Sequence, residues 1–64
     1  MRSLRQEAIL SLIKETEIET QGELCEALAA RGFSATQATV SRDVKELHLF
    51  KVRGTRKRFR YACA

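Results

Sequence analysis

An α+β fold of three helices followed by a C-terminal β-hairpin is what this 64-residue sequence predicts. Apolar residues recur at helical spacing in three separate stretches ending at Leu47, and beyond Leu47 the period drops to two. The stretches are also punctuated: Ser3, Thr20 and Thr36 are each placed to cap a helix start, and Gly32 to close one. A chain of this length makes one domain over residues 1–64, burying about 60% of its unfolded surface. Its 44% hydrophobic content is that of a globular chain with a modest core.

The first helix runs from about Ser3 to Glu15. Leu4, Ala8, Ile9, Leu12 and Ile13 share one face, while Arg5, Gln6, Lys14 and Glu15 take the other. Glu17-Ile18-Glu19 alternates and is expected to pair briefly as a strand. The second helix opens on Thr20-Gln21-Gly22-Glu23, a capping box in which the Thr20 hydroxyl accepts from the Glu23 amide and the Glu23 carboxylate returns to Thr20. Its stripe is Leu24, Ala27 and Leu28. Gly32 at C′ and Phe33 over Leu28 then form a Schellman closure. A short connection through Ser34 and Ala35 leads to the third helix, Thr36 to Leu47, with Val40, Val44 and Leu47 buried. Ala38, Ser41, Arg42 and Lys45 face outward, and Asp43, out of phase with them, is expected to hold the fold. In the hairpin, Phe50 and Val52 alternate with Lys51 and Arg53, and Phe59 and Tyr61 with Arg58 and Arg60, about a turn at Gly54-Thr55-Arg56-Lys57. That predicts an aromatic and aliphatic inner face and an outer face of four cations. Two helices joined by a short glycine-containing turn, then a hairpin, have the proportions of a winged helix-turn-helix.

Charge is sorted along the chain. Residues 1–32 carry four Lys/Arg against six acids, and residues 33–64 carry eight against two. One strongly basic half implies a polyanionic partner. The sequence shows no lipidation motif, no signal peptide and no apolar run near the ~20 residues of a membrane span, so a membrane partner is not expected. Cys25 lies at the edge of an apolar stripe and Cys63 near the chain end. With no secretion signal, free thiols in a reducing cytoplasm are expected, although a disulfide between them is compatible with the sequence. His48 is the only histidine and no close cysteine pair begins a tetrahedral set, so no metal site is expected. Enzyme chemistry is not expected either: no nucleophile partners the histidine, and no glycine-rich phosphate loop or paired carboxylates are present.

Glu19-Thr20-Gln21 through Leu24, the string Thr36-Gln37-Ala38-Thr39-Val40-Ser41-Arg42-Asp43-Val44-Lys45-Glu46-Leu47, and Leu49-Phe50-Lys51-Val52 resemble the N-terminal DNA-binding domain of bacterial arginine repressors. The resemblance runs from the first helix to Tyr61. It implies an operator-binding regulator of arginine metabolism with L-arginine as corepressor. It also implies a C-terminal domain that binds arginine and assembles hexamers. That domain is absent from this chain, so no cofactor is expected within it. The wing departs from the pattern: Arg56, Lys57, Arg58 and Arg60 stand where a family wing is often more neutral.

For double-stranded DNA, Arg42 is the first choice for base readout, since its planar fork matches guanine O6 and N7. Its alternatives are a phosphate contact or an ion pair with Glu46. Gln37 suits an adenine edge, Ser41 a base or phosphate, and Ala38 a thymine methyl. Backbone contacts are expected from Thr20 and Gln21 at the start of helix two, from Thr36, Thr39 and Lys45, and from Lys51, Arg53, Arg56, Lys57, Arg58 and Arg60 of the wing. The resemblance implies an operator that is an imperfect palindrome, and the isolated domain is expected to be monomeric. An RNA-binding winged helix is the alternative. Such a reader stacks bases on exposed aromatics, whereas Phe33, Phe50, Phe59 and Tyr61 are all wanted by the core pattern.

Overall fold

The computed structural model describes residues 2–64. Helices α1 (Leu4–Glu15), α2 (Gln21–Ala30) and α3 (Gln37–Glu46) precede strands β1 (Phe50–Arg53) and β2 (Phe59–Ala62), which pair antiparallel. The order is that of a winged helix-turn-helix, and each helix lies within a residue of its expected bounds.

Local chemistry sets those bounds. Ser3, Thr20 and Thr36 have extended backbones, and their hydroxyls accept from the amides of Gln6 (3.1 Å), Glu23 (3.1 Å) and Thr39 (3.2 Å). Each cap satisfies an amide that has no partner within its helix. The capping box is completed differently from expectation. The Glu23 carboxylate accepts from the Glu19 amide at 3.0 Å rather than from Thr20, and the same oxygen holds the Lys57 ammonium at 2.7 Å. Helix α2 closes as expected. Gly32 has φ of 90°, Gly32 N–H donates to Ala29 O at 3.0 Å, and Phe33 N–H donates to Leu28 O at 2.9 Å.

Helix α3 ends in the same motif without a glycine. His48 takes φ of 56°, its amide donates to Lys45 O at 3.1 Å, and the Leu49 amide donates to Val44 O at 3.0 Å. A side chain in this left-handed conformation is strained by contact with its own backbone. His48→Gly is therefore expected to stabilise the domain by about 1 kcal/mol, read as a rise in the urea midpoint without a change in slope.

Ile9, Leu12 and Ile13 of α1 pack with Leu24 and Leu28 of α2, Val40 and Val44 of α3, Ile18 of the α1–α2 connection and Tyr61 of β2. Phe33, Leu47, Cys25 and Cys63 pack against this core while partly exposed, and both cysteines are free. Leu4 shares the phase of Ala8 but occupies the first helical position, and it is 77% exposed instead of buried. The Glu17-Ile18-Glu19 segment is not a strand. Ile18 is buried, and its carbonyl accepts a single bond from the Tyr61 amide at 2.9 Å.

Asp43 holds the fold, as its phase predicted, but its partners were expected to face solvent. The Asp43 carboxylate is buried and accepts from Arg5 Nε (2.5 Å), Arg5 Nη2 (3.0 Å) and Gln6 Nε2 (3.0 Å). Hydrogen bonding from Arg5 holds the Asp43 carboxyl below its ordinary range, against the opposing effect of burial. Gln6 Nε2 also reaches Glu46 at 2.8 Å. Arg5 and Gln6 thus tie the first helix to the inner side of α3.

The hairpin register overturns the expected faces. Phe50 opposes Ala62, Lys51 opposes Tyr61, Val52 opposes Arg60 and Arg53 opposes Phe59. Residues 54–58 form the loop, closed by Gly54 N–H donating to Arg58 O at 3.1 Å. With a loop of 54–57, Arg53 would face Arg58, and the four apolar residues would share one side. One added loop residue turns every side chain of β2 to the opposite face of the hairpin. Tyr61 therefore shares a face with Phe59, Lys51 and Arg53, and Phe50 and Val52 share the other with Arg60. Only Tyr61 of the strand aromatics is buried; Phe50 and Phe59 are 46% and 45% exposed.

Candidate nucleic-acid interface

The exposed side of α3 follows from its buried side. With Val40, Asp43 and Val44 turned inward, Gln37, Ala38, Arg42 and Lys45 are exposed, and Thr39 and Ser41 are half-buried at the margin. Among the described residues, no ion pair includes Arg42. The acid considered as its partner, Glu46, is engaged by Gln6. The guanidinium is therefore available to a ligand. Thr36 and Thr39 are engaged with each other, their hydroxyl oxygens 3.1 Å apart, while Thr36 caps the helix.

The starts of α2 and α3 lie side by side. A Cβ on Gly22 would come within 3.6 Å of Gln37 Nε2, which places Gln37 beside the turn opened by Thr20 and Gln21. That turn carries the free amides and positive dipole end that suit a phosphate.

The wing carries its charge at the tip and on both faces, not on one outer face. Lys51, Arg53, Arg56, Lys57 and Arg58 are exposed, and Arg60 is half-buried. Two of the six are engaged: Lys57 by Glu23 at 2.7 Å, and Lys51 over the Tyr61 ring, 5.4 Å from its centroid. The exposed aromatics bear on the choice between DNA and RNA. Phe50 and Phe59 do not belong to the core, contrary to expectation. The register also puts them on opposite faces of the hairpin, so they cannot form one stacking platform.

Glu17 organises the loop and was not foreseen. Its carboxylate accepts from the Thr55 amide (2.7 Å), the Arg56 amide (2.9 Å), the Lys57 amide (2.7 Å) and the Thr55 hydroxyl. The Thr55 hydroxyl bond, followed by the Lys57 and Thr55 amides, lowers its pKa to about 2. Lys14 and Glu15 of α1, Arg56 and Lys57 of the loop, and Arg60 of β2 line the cleft around it. The chain closes so tightly here that a Cβ on Gly54 would lie 2.4 Å from Lys57 O and 2.7 Å from Glu17 Oε1. A half-buried glutamate whose partners lie 38 to 40 residues away leaves no local signal in sequence.

Because the folded pKa of Glu17 is depressed, its contribution is complete above the ordinary carboxylate value of 4.5 and is lost as pH falls through about 2. In an NMR titration from pH 5 to about pH 1.5, the Thr55, Arg56 and Lys57 amides are expected to move together over this low range. Movement centred at the ordinary glutamate value would show that the carboxylate is not held.

Among the described residues no helix is long and apolar enough to cross a membrane. The family described as "Arginine repressor, DNA binding domain" matches residues 1–64. The chain is similar to the arginine repressor of Caldicellulosiruptor bescii, 53% identical over 62 residues, covering 97% of this chain and 41% of the relative. The arginine repressor of Clostridium tetani is 53% identical over 62 residues, with 97% and 40% covered. That of Syntrophomonas wolfei is 56% identical over 52 residues, with 81% and 34% covered. The chain thus spans about two fifths of the length of the first two relatives.

Proposed function

Because the chain belongs to the family of arginine repressor DNA-binding domains, we propose that residues 1–64 bind operator DNA for a cytoplasmic, arginine-responsive transcriptional regulator of arginine metabolism. The α3 arc of Gln37, Ala38, Ser41 and Arg42 enters the major groove and reads base edges. Thr20, Gln21, Thr36, Thr39 and Lys45 contact the backbone beside it. Lys51, Arg53, Arg56, Arg58 and Arg60 supply wing contacts to phosphates or the minor groove, while Lys57 contributes only if it leaves Glu23. The observation that carries this reading is Arg42, exposed on that arc and in no ion pair among the described residues. Arginine binding and hexamer formation belong to the longer regulator, and this domain acts without a cofactor.

An imperfect palindrome needs two recognition helices about one helical turn apart. One domain supplies one helix, so it binds a half-site weakly and as a monomer, without the effective concentration that a linked partner provides. Phe50 and Phe59, exposed on opposite faces, do not make one dimer patch. The test begins by selecting a duplex from a randomised pool with the domain. Duplexes carrying one and two half-sites are then titrated, with and without L-arginine, alongside sedimentation of the free domain. The expected result is a monomer, with selected duplex preferred over mixed-sequence duplex and over duplex RNA. Similar affinity per half-site, a steep fall with salt and no effect of L-arginine are also expected. Equal affinity for all sequences would remove the operator-binding role, and a preference for RNA would replace it.

A further inference from the structure

We propose that Glu17 is a positioning residue for DNA binding: its carboxylate fills the donor-lined hollow of the wing loop and fixes the loop so that Arg56 and Arg58 face the phosphate backbone. This inference rests on the DNA-binding reading above and adds to it a residue outside the recognition helix and the wing.

Three successive amides and one hydroxyl of a five-residue loop converge on the two oxygens of Glu17. Successive backbone N–H groups turned into one hollow make an anion site. Here the anion is supplied by the α1–α2 connection of the same chain. The Lys57–Glu23 pair ties the loop a second time, to the first turn of α2. Gly54 packs without space for a Cβ beneath the same carboxylate. Among the described residues of the loop, Arg56 and Arg58 are the cations with no side-chain partner, and both are exposed. A loop held at two points presents them with less freedom to lose when phosphate is bound. Each long side chain and loop ordered only on binding weakens affinity by roughly threefold to tenfold.

Charge alone predicts the opposite effect. Removing a carboxylate from a domain of net charge +4 makes it more cationic and would tighten binding to a polyanion. Glu17→Gln keeps the size of the side chain and removes its charge. On a 20-base-pair mixed-sequence duplex and on the selected duplex alike, it is expected to weaken binding threefold to tenfold and to flatten the salt dependence. In an Arg56→Ala/Arg58→Ala background the same substitution should change affinity less than twofold. Thr55→Val, which removes one donor and leaves Glu17 charged, should act in the same direction by a smaller factor. Thermal melts report that each variant is folded, and loss of dispersion of the Thr55, Arg56 and Lys57 amides reports the freed loop. Unchanged or tighter binding by Glu17→Gln, or an equal loss with the two arginines removed, would overturn the proposal. Failure of the parent domain to bind either duplex would instead overturn the DNA-binding reading on which it depends.

Discussion

Replacing Arg5 with alanine is expected to destabilise the domain by about 3 kcal/mol. Asp43 is 2% exposed, and the Arg5 fork supplies two of the three hydrogen bonds to its carboxylate. Alanine at position 5 leaves a buried carboxylate with Gln6 alone. Breaking a buried pair from one side costs about 3–5 kcal/mol because the remaining charge is desolvated without compensation. The lower end applies because the Arg5 side chain is 32% exposed, so water reaches the site once the fork is gone. A core of this size supplies about 3–5 kcal/mol in all, so the variant should be largely unfolded at ordinary temperature. Urea melts of Arg5→Ala, Asp43→Ala and the double variant measure the pair. The double variant should cost much less than the two single changes together, since no orphaned charge remains. Strict additivity would show that the residues do not act as a pair.

Arg42→Ala carries the largest expected effect on recognition. It should reduce discrimination between selected and mixed-sequence duplexes by ~1–3 kcal/mol, the worth of a bidentate contact to guanine. Its fold should be unaffected, because the side chain is exposed and makes no ion pair among the described residues. Arg58→Ala provides the contrast: both duplexes should weaken alike, with a salt slope lower by about one contact. A uniform loss in Arg42→Ala would identify a phosphate anchor and move base readout to Gln37 or Ser41.

The helices were legible because their determinants are local. Each N-cap hydroxyl meets an amide three residues ahead, and the Gly32 closure uses residues 28–33. The exposed arc of α3 followed from its seam, and Asp43 fell on the inner side by phase. What failed depended on distance or on a single residue of length. Arg5 and Gln6 looked solvent-facing because nothing near them in sequence reveals a carboxylate 37 or 38 residues away. Leu4 had the right phase and the wrong position along the helix. The hairpin failed for a different reason. Its alternating pattern suits a loop of four residues or five, and the choice decides which side chains share a face. The same choice exposed Phe50 and Phe59. The carboxylate that holds the tip could not be read from an acidic residue in a connection.

The close approach at Gly54 has a consequence for how such a domain can vary. Shape and charge are carried by different positions of the loop. Glycine at 54 and the acceptor at 17 define the path of the backbone, while the side chains at 56 and 58 project into solvent. Substitutions at 56 and 58 can therefore raise or lower general attraction to nucleic acid without rebuilding the hairpin. Position 54 has no such latitude, because any larger residue meets a backbone carbonyl. For a designer or for natural drift, the wing is a fixed bracket with exchangeable fittings, and on the proposed DNA-binding reading its charge is adjustable separately from the exposed arc of α3.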